Sequence, residues 1–258
     1  MSVTTLDRAK REARIQCSDA EWSTRCDLAA LYRITHHLRM TDLIYTHLSA
    51  RVPDEDHAFL INRYGDLFDE VTASSLVKVD LDGNPVGAEG HYNPAGFNIH
   101  SGAYLARPDV NCVMHTHTRA GIAVATTERG LLPLSQHALM VYDELGYHDY
   151  DGPGVIEERD AVGASCAKAN CIVMRNHGLL TLGDSITGAF KRMYYLEQAC
   201  QTQIAAQALN EPLRLIGEDV QQATAELWRE RRASGEFGAL EWASLTRMLD
   251  AQGADYRR

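Results

Sequence analysis

Asn111-Cys112-Val113-Met114-His115-Thr116-His117-Thr118 is the stretch on which the reading of this chain turns. Its first half is short, apolar and partly β-branched, the composition of a buried strand. Side chains two apart on a strand share a face, so His115 and His117 project together. They can offer two imidazole nitrogens to one borderline-soft divalent metal. Cys171-Ile172-Val173-Met174 has the same character and runs into Arg175-Asn176-His177-Gly178, which puts His177 at the end of a second strand. Three imidazoles leave one coordination position open, the arrangement of a catalytic rather than a structural site. A His-x-His pair alone would equally suit two polar residues at a strand end. His177 is what favours the metal.

Working outward, 258 residues with 45% hydrophobic and 23% charged side chains describe an ordinary soluble protein with room for one sizeable core. The formal net charge of −10, with Arg and Lys scattered, argues against nucleic acid or an anionic membrane surface as partner. No apolar run is long enough to span a bilayer. The first residues, MSVTTLDRAKREARIQC, lack the apolar core of a secretory signal. Six cysteines without a C-x-x-C pair read as reduced core thiols, so the expected location is the cytoplasm.

Residues 1–17 are expected to form a flexible tail and 18–258 one domain. Ser18-Asp19-Ala20-Glu21 has the form of a capping box and predicts a helix from there to about Arg39. Strands are expected over Leu43–Val52, Ala58–Asn62 and Leu76–Leu81, the last meeting a turn at Asp82-Gly83-Asn84. Helices are expected over about 95–106, 119–127, 157–168, 184–209, 218–233 and 240–251. Leu131–Leu134 and Leu139–Tyr142 read as short extended pieces. Leu145–Pro153 reads as a loop over a site or an interface.

The motifs THLSAR (46–51), FLINRYG (59–65), SSLVKVDLDG (74–83), PAGFNIHSGAYLARPDVNCVMHTHT (94–118) and RNHGLLTLG (175–183) resemble, in order and spacing, the class II aldolase/adducin family. The likeness runs over about residues 25–210. It implies a single three-layer α/β/α domain with a mainly antiparallel central sheet. It also implies a homotetrameric ring with sites at subunit boundaries, where the aromatic segment Tyr142–Tyr150 would pack. The family's metal ligands fall on His115, His117 and His177, and the ion expected there is zinc, with manganese or iron(II) as alternatives.

Other positions depart from the family's sugar-phosphate aldolases. The general-base glutamate, four residues before the histidine matched to His100, is Gly96 here, and glycine cannot accept a proton. Two phosphate-binding serines match Pro94 and Ala95, and a phosphate-facing Asn matches His47. The Thr-Gly of the next strand end is Tyr64-Gly65, with Arg63 before it, and the proton-donating tyrosine of the neighbouring subunit matches His137. Gly96 and His47 are therefore expected at the substrate, with Arg63 as a carboxylate grip and Tyr64 and His137 as catalytic candidates. Tyr142 and His148 are lesser candidates, and Asp143 or Glu144 could supply a replacement carboxylate. Adducin, a cytoskeletal protein rather than an enzyme, shares the glycine but would not need three ligands.

The function expected is a metal-dependent lyase, performing aldol cleavage or decarboxylation of a small unphosphorylated oxo or hydroxy acid or sugar acid through a metal-stabilised enolate. The alternatives are an iron(II)-dependent oxygenase of an aromatic oxo acid and a non-catalytic adducin-like interaction module.

Overall fold

The computed structural model describes residues 15–87, 90–150, 152 and 156–258. All but three of the expected tail residues lie outside that range. The Ser18 hydroxyl accepts from Glu21 N–H at 3.1 Å, as the capping box requires, and opens α1 (Asp19–His37). Strands β1 (His47–Val52), β2 (Glu55–Ile61) and β3 (Val77–Asp80) follow. Next come α2 (Pro94–Ala106), β4 (Cys112–Thr116) and α3 (Arg119–Ala125). After α4 (Gln136–Leu139) and a 3-10 turn over Tyr142–Glu144 stand β5 (Leu145–His148) and α5 (Ile156–Cys166). The chain continues through β6 (Cys171–Met174), β7 (Gly178–Gly183), α6 (Ile186–Ala208), α7 (Glu218–Ala233) and α8 (Ala239–Ala251).

The seven strands form one sheet in the order β3-β2-β1-β4-β7-β6-β5. Every neighbouring pair is antiparallel except β5–β6. Alternation along the strands splits the apolar residues between two faces. Leu48, Ala50, Cys112, Met114 and Val173 join α1 and α6 in one core. Phe59, Ile61, Val113, Ile172 and Leu180 join α2 and α5 in the other. The result is the three-layer α/β/α arrangement with a mainly antiparallel sheet. No helix among the described residues is long and apolar enough to cross a membrane, and all six cysteines are free.

Three expectations about elements need correction. β1 begins at His47 rather than Leu43, because Leu43 (φ 49°) and Thr46 (φ 67°) are held in left-handed backbone that no strand accommodates. The pieces expected extended over Leu139–Tyr142 are helical turns, started by the Ser135 hydroxyl accepting from Ala138 N–H. Leu145–Pro153 opens with an edge strand where a loop is expected. Its Gly, Tyr and His residues hide a strand that pairs in parallel with β6 and buries only His148. Tyr150 beyond it is irregular and borders a cavity, and residues 151 and 153 lie outside the described residues.

Asp143 and Glu144, the candidate replacement carboxylates, are committed to ion pairs at this edge. Glu144 accepts from Arg192 at 2.9 and 2.8 Å and from Asn170 at 2.6 Å, while Asp143 pairs with Arg232 at 2.5 Å. Burial alone would raise the Glu144 carboxyl, but Arg192, then Arg232 and Asn170, outweigh it and hold it below its ordinary value of 4.5. Its stabilisation is therefore complete above that pH and is lost as the pH falls through the folded value. Glu144→Ala should cost about 3–5 kcal/mol by stranding Arg192. In urea titrations from pH 7 to pH 3, the gap between wild type and variant should hold down to about pH 4.5 and narrow below it.

Candidate metal centre

The site forms at the end of the central strands, on the sheet face covered by α2. β1 and β4 pair with His47 opposite His115, and β4 and β7 pair with His115 opposite Leu180. β4 ends at Thr116, and the Thr118 hydroxyl accepts from Gly121 N–H at 3.2 Å to start α3, which fixes the exit of His117. His177 sits in the tight β6–β7 turn, where Asn176 adopts φ 56° and Gly178 follows. A Cβ on Gly178 would lie 2.3 Å from the Thr116 carbonyl oxygen, so only glycine lets this turn close against β4.

His115, His117 and His177 converge, with one ring nitrogen from each lying within 4.8 Å of the other two. His115 Nδ1 donates to the Leu179 carbonyl at 3.0 Å, and His117 Nδ1 donates to Asp42 Oδ2 at 3.0 Å. Both tautomers are thereby set, and both Nε2 atoms carry lone pairs. Those two Nε2 atoms stand 2.9 Å apart. Two acceptors at that distance repel unless a cation or a shared proton lies between them, so the donor set fits a bound divalent metal. His177 Nδ1 is buried without a hydrogen-bond partner among the described residues. Burial and the neighbouring histidines pull His115 well below its usual value, and burial followed by His117 and His148 takes His177 down to about 4. Neutral imidazoles are what a metal requires.

The centre opens into a cavity of about 400 Å³ bordered by Asp42, Thr46, His47, Asn93, Ile122 and Tyr150, among others. A larger cleft of about 510 Å³ beside α6 and α8 is mostly apolar, and its Lys191 and Glu241 neutralise each other at 2.8 Å. The smaller cavity is the one that the three converging histidines line. No Arg or Lys lines it among the described residues, and Asp42 is its one carboxylate. Asn93 caps α2 by accepting from Ala95 N–H at 3.1 Å, so that amide is already used. Thr46 Oγ1 is buried there with no partner among the described residues.

His47 and Gly96 meet directly. A Cβ at Gly96 would lie 2.5 Å from His47 Cδ2 and 2.8 Å from its Nε2. The imidazole of His47 thus occupies the space into which a side chain at 96 would grow. It stacks on His115 with ring centres 5.1 Å apart and bonds through Nδ1 to His100 Nε2 at 2.7 Å. Burial, then His100, His117 and His177, holds it well below the usual histidine value.

The other sequence candidates lie elsewhere in the single chain. Arg63 borders a separate cavity beside Arg25 and Lys78. Tyr64 is 40% exposed, and His137 is exposed on α4, tilted over Tyr195. Tyr142 packs against the α1/α6 core, and His148 bonds Ser165 Oγ at 3.1 Å. Asp42 and Thr46 escape a reading of the sequence, since Asp42 lies 75 residues from the histidine it orients and neither sits in a periodic element. Tyr150, 5.8 Å ring to ring from His177, is legible there only as part of an aromatic segment.

A family model, the Class II Aldolase and Adducin N-terminal domain, matches residues 26–204. The chain belongs to the class II aldolase and adducin family. An aldolase II superfamily protein from Pseudomonas syringae is similar at 43% identity and TM-score 0.87, covering 98% of this chain and 99% of that one. L-fuculose 1-phosphate aldolase from Glaciozyma antarctica is similar at 27% identity and TM-score 0.81, covering 97% and 98%. Rat (Rattus norvegicus) alpha-adducin is 38% identical over 97% of this chain, which spans 36% of adducin's length. Membership supports metal-dependent aldolase-type chemistry in general, and the histidine cluster suits a divalent ion.

Asp42 should matter to metal affinity although it is not a ligand. Asp42→Ala should weaken zinc binding about 10–100-fold by freeing the His117 ring. His117→Ala should weaken it further, with far-UV circular dichroism unchanged in both. Competition against a chromophoric chelator measures the two losses.

Proposed function

We propose that this chain is a metal-dependent lyase acting on a small unphosphorylated oxo or hydroxy acid, with decarboxylation favoured over aldol cleavage. His115, His117 and His177 would hold the ion, which when bound supplies Lewis-acid polarisation and an electron sink. One observation carries the choice of reaction. The cavity's one carboxylate among the described residues, Asp42, is committed to His117 Nδ1, so no carboxylate is left to deprotonate a substrate hydroxyl. Loss of carbon dioxide needs no such base, whereas aldol cleavage does.

The substrate class rests on charge. A phosphate dianion needs several converging donors and a fixed positive charge. This cavity offers neither Arg nor Lys, and Pro94 and Asn93 occupy the helix start where amides would otherwise be free. A compact oxo acid draws its charge compensation from the metal instead. Thr46 Oγ1 supplies a hydroxyl at the cavity wall, and Tyr150 shields one side.

The reading includes a ring of four chains. Tyr45 and Tyr150, which line the cavity, are exposed by 47% and 48%, and Leu43, next in sequence to the lining Asp42, by 69%, an apolar surface that suits a second copy. Arg63, Tyr64 and His137 keep their proposed roles only across such a boundary, on the cavity of an adjacent copy. The cytoplasm, a reducing compartment, suits the six free thiols.

Protein purified without chelator should carry one divalent ion per chain by elemental analysis. It should turn over a member of a panel of unphosphorylated oxo and hydroxy acids. Fuculose 1-phosphate and ribulose 5-phosphate should react at least about 10²-fold more slowly, the loss expected from two missing donors to a charged group. Turnover of the sugar phosphates at aldolase rates would overturn the reading. So would protein that folds and assembles yet binds no metal, the result that favours an adducin-like interaction module. Bound iron(II) with oxygen uptake on aromatic oxo acids would instead favour the oxygenase.

Light scattering at micromolar concentration should show a tetramer, and Leu43→Asp should shift it toward smaller species. A strict monomer would contradict the ring.

A further inference from the structure

Four side chains form a hydrogen-bonded line from the core to the cavity wall. Tyr104 OH meets Ser49 Oγ at 2.8 Å, Ser49 Oγ meets His100 Nδ1 in a short contact, and His100 Nε2 meets His47 Nδ1 at 2.7 Å. Tyr104, Ser49, His100 and His47 are buried to 1%, 0%, 0% and 4% exposure, and of the four His47 alone borders the cavity. The line exists because alternate residues of β1 face α2, where His100 and Tyr104 stand one turn apart.

Protons can run along it in two directions. Running inward, His47 Nδ1–H donates to His100, His100 Nδ1–H to Ser49, and Ser49 O–H to Tyr104. The phenol proton of Tyr104 is then left without an acceptor among the described residues. Running outward, Tyr104 donates to Ser49, Ser49 to His100 Nδ1, and His100 Nε2–H to His47 Nδ1. Every buried donor is then satisfied, and the last N–H, on His47 Nε2, borders the cavity. Burial keeps Tyr104 protonated by pushing it well above its usual value, and burial keeps His100 neutral by drawing it down to about 3 against a backbone hydrogen bond with His47.

We propose that Tyr104, Ser49 and His100 are positioning residues that fix His47 as an Nε2–H donor. His47 then recognises an acceptor oxygen of the substrate, the carboxylate or carbonyl oxygen of a small oxo acid beside the metal centre. The recognition half rests on the oxo-acid reading above, and the proton direction does not. With its Nε2 protonated, His47 is neither a general base nor a fourth metal ligand. The site has exchanged a proton acceptor at position 96 for a proton-bearing donor at position 47.

The test is long-range ¹H–¹⁵N correlation spectroscopy of histidine-labelled protein, metal-free and zinc-loaded, with oxalate as the oxo-acid probe. Single His→Gln variants assign the rings. His47 and His100 should both be Nε2–H tautomers in both forms, and Nδ1–H in either ring would overturn the proposal. Oxalate should bind the zinc-loaded protein and shift the His47 Nε2–H signal. His47→Met, which lacks a donor, should weaken oxalate about 10-fold or more, while His47→Gln, whose amide N–H reaches as far, should restore most of the affinity. Equal oxalate affinity in wild type and His47→Met, with zinc retained, would overturn the recognition half. Both rings as Nε2–H with no oxalate binding would uphold the positioning line and overturn the oxo-acid reading on which recognition rests.

Discussion

Two imidazole nitrogens 2.9 Å apart, a spacing that calls for a cation or a shared proton between them, are the constraint around which this fold closes. Left alone they repel. They are held together because their opposite nitrogens are tied down, one to a backbone carbonyl of β7 and the other to a carboxylate that precedes β1. Those ties need the central strands in one register, with His47, His115 and Leu180 in a row across the sheet. They need a turn that glycine alone can close, and a stretch before β1 that carries three non-glycine residues at positive φ, Arg39, Leu43 and Thr46. Backbone strain and acceptor repulsion gather at one end of the sheet, where positive charge would relieve the second.

What sequence can show of this is the part with a period. His115 closes an apolar strand, His117 stands two residues on, just past its end, and His177 follows another strand, so strand alternation points to one place and the capped turn at Thr118 completes it. Both long α/β layers are legible for the same reason, since Val113 and Met114 must face opposite ways. Asp42, Thr46 and the His47–Gly96 contact are not legible. Each depends on aperiodic backbone or on the packing of two elements far apart in the chain, and propensity carries no information about either. β5 is hidden because Gly146 and Tyr147 obscure the strand pattern at an edge where only one residue is buried. Arg63 and Tyr64 gain their candidacy from position in a motif, and a motif fixes the strand end but not the direction in which a side chain leaves it.

β1 shows how a single strand can serve two masters. Leu48 and Ala50 complete an apolar core on one side. His47, Ser49 and Arg51 on the other form a polar seam, in which Arg51 donates to the carbonyls of Val110 and Tyr104 at 3.0 and 2.9 Å and lies over the Tyr104 ring. A buried polar seam is tolerable only when every member is satisfied, and partial satisfaction is worse than none. The strand therefore cannot lose one of these residues without disturbing the others.

The fit of His47 into the space beside Gly96 also constrains history. A relative carrying glutamate at 96 and a small side chain at 47 cannot be reached from this chain in either order with equal ease. Growing a side chain at 96 first drives atoms to within 2.5 Å of the imidazole. Shrinking His47 first opens a hole and frees the His100 ring nitrogen that it bonds, and water can fill the one and bond the other. The step through the opened site is therefore the easier of the two, because water can follow a lost side chain but cannot make room for a gained one.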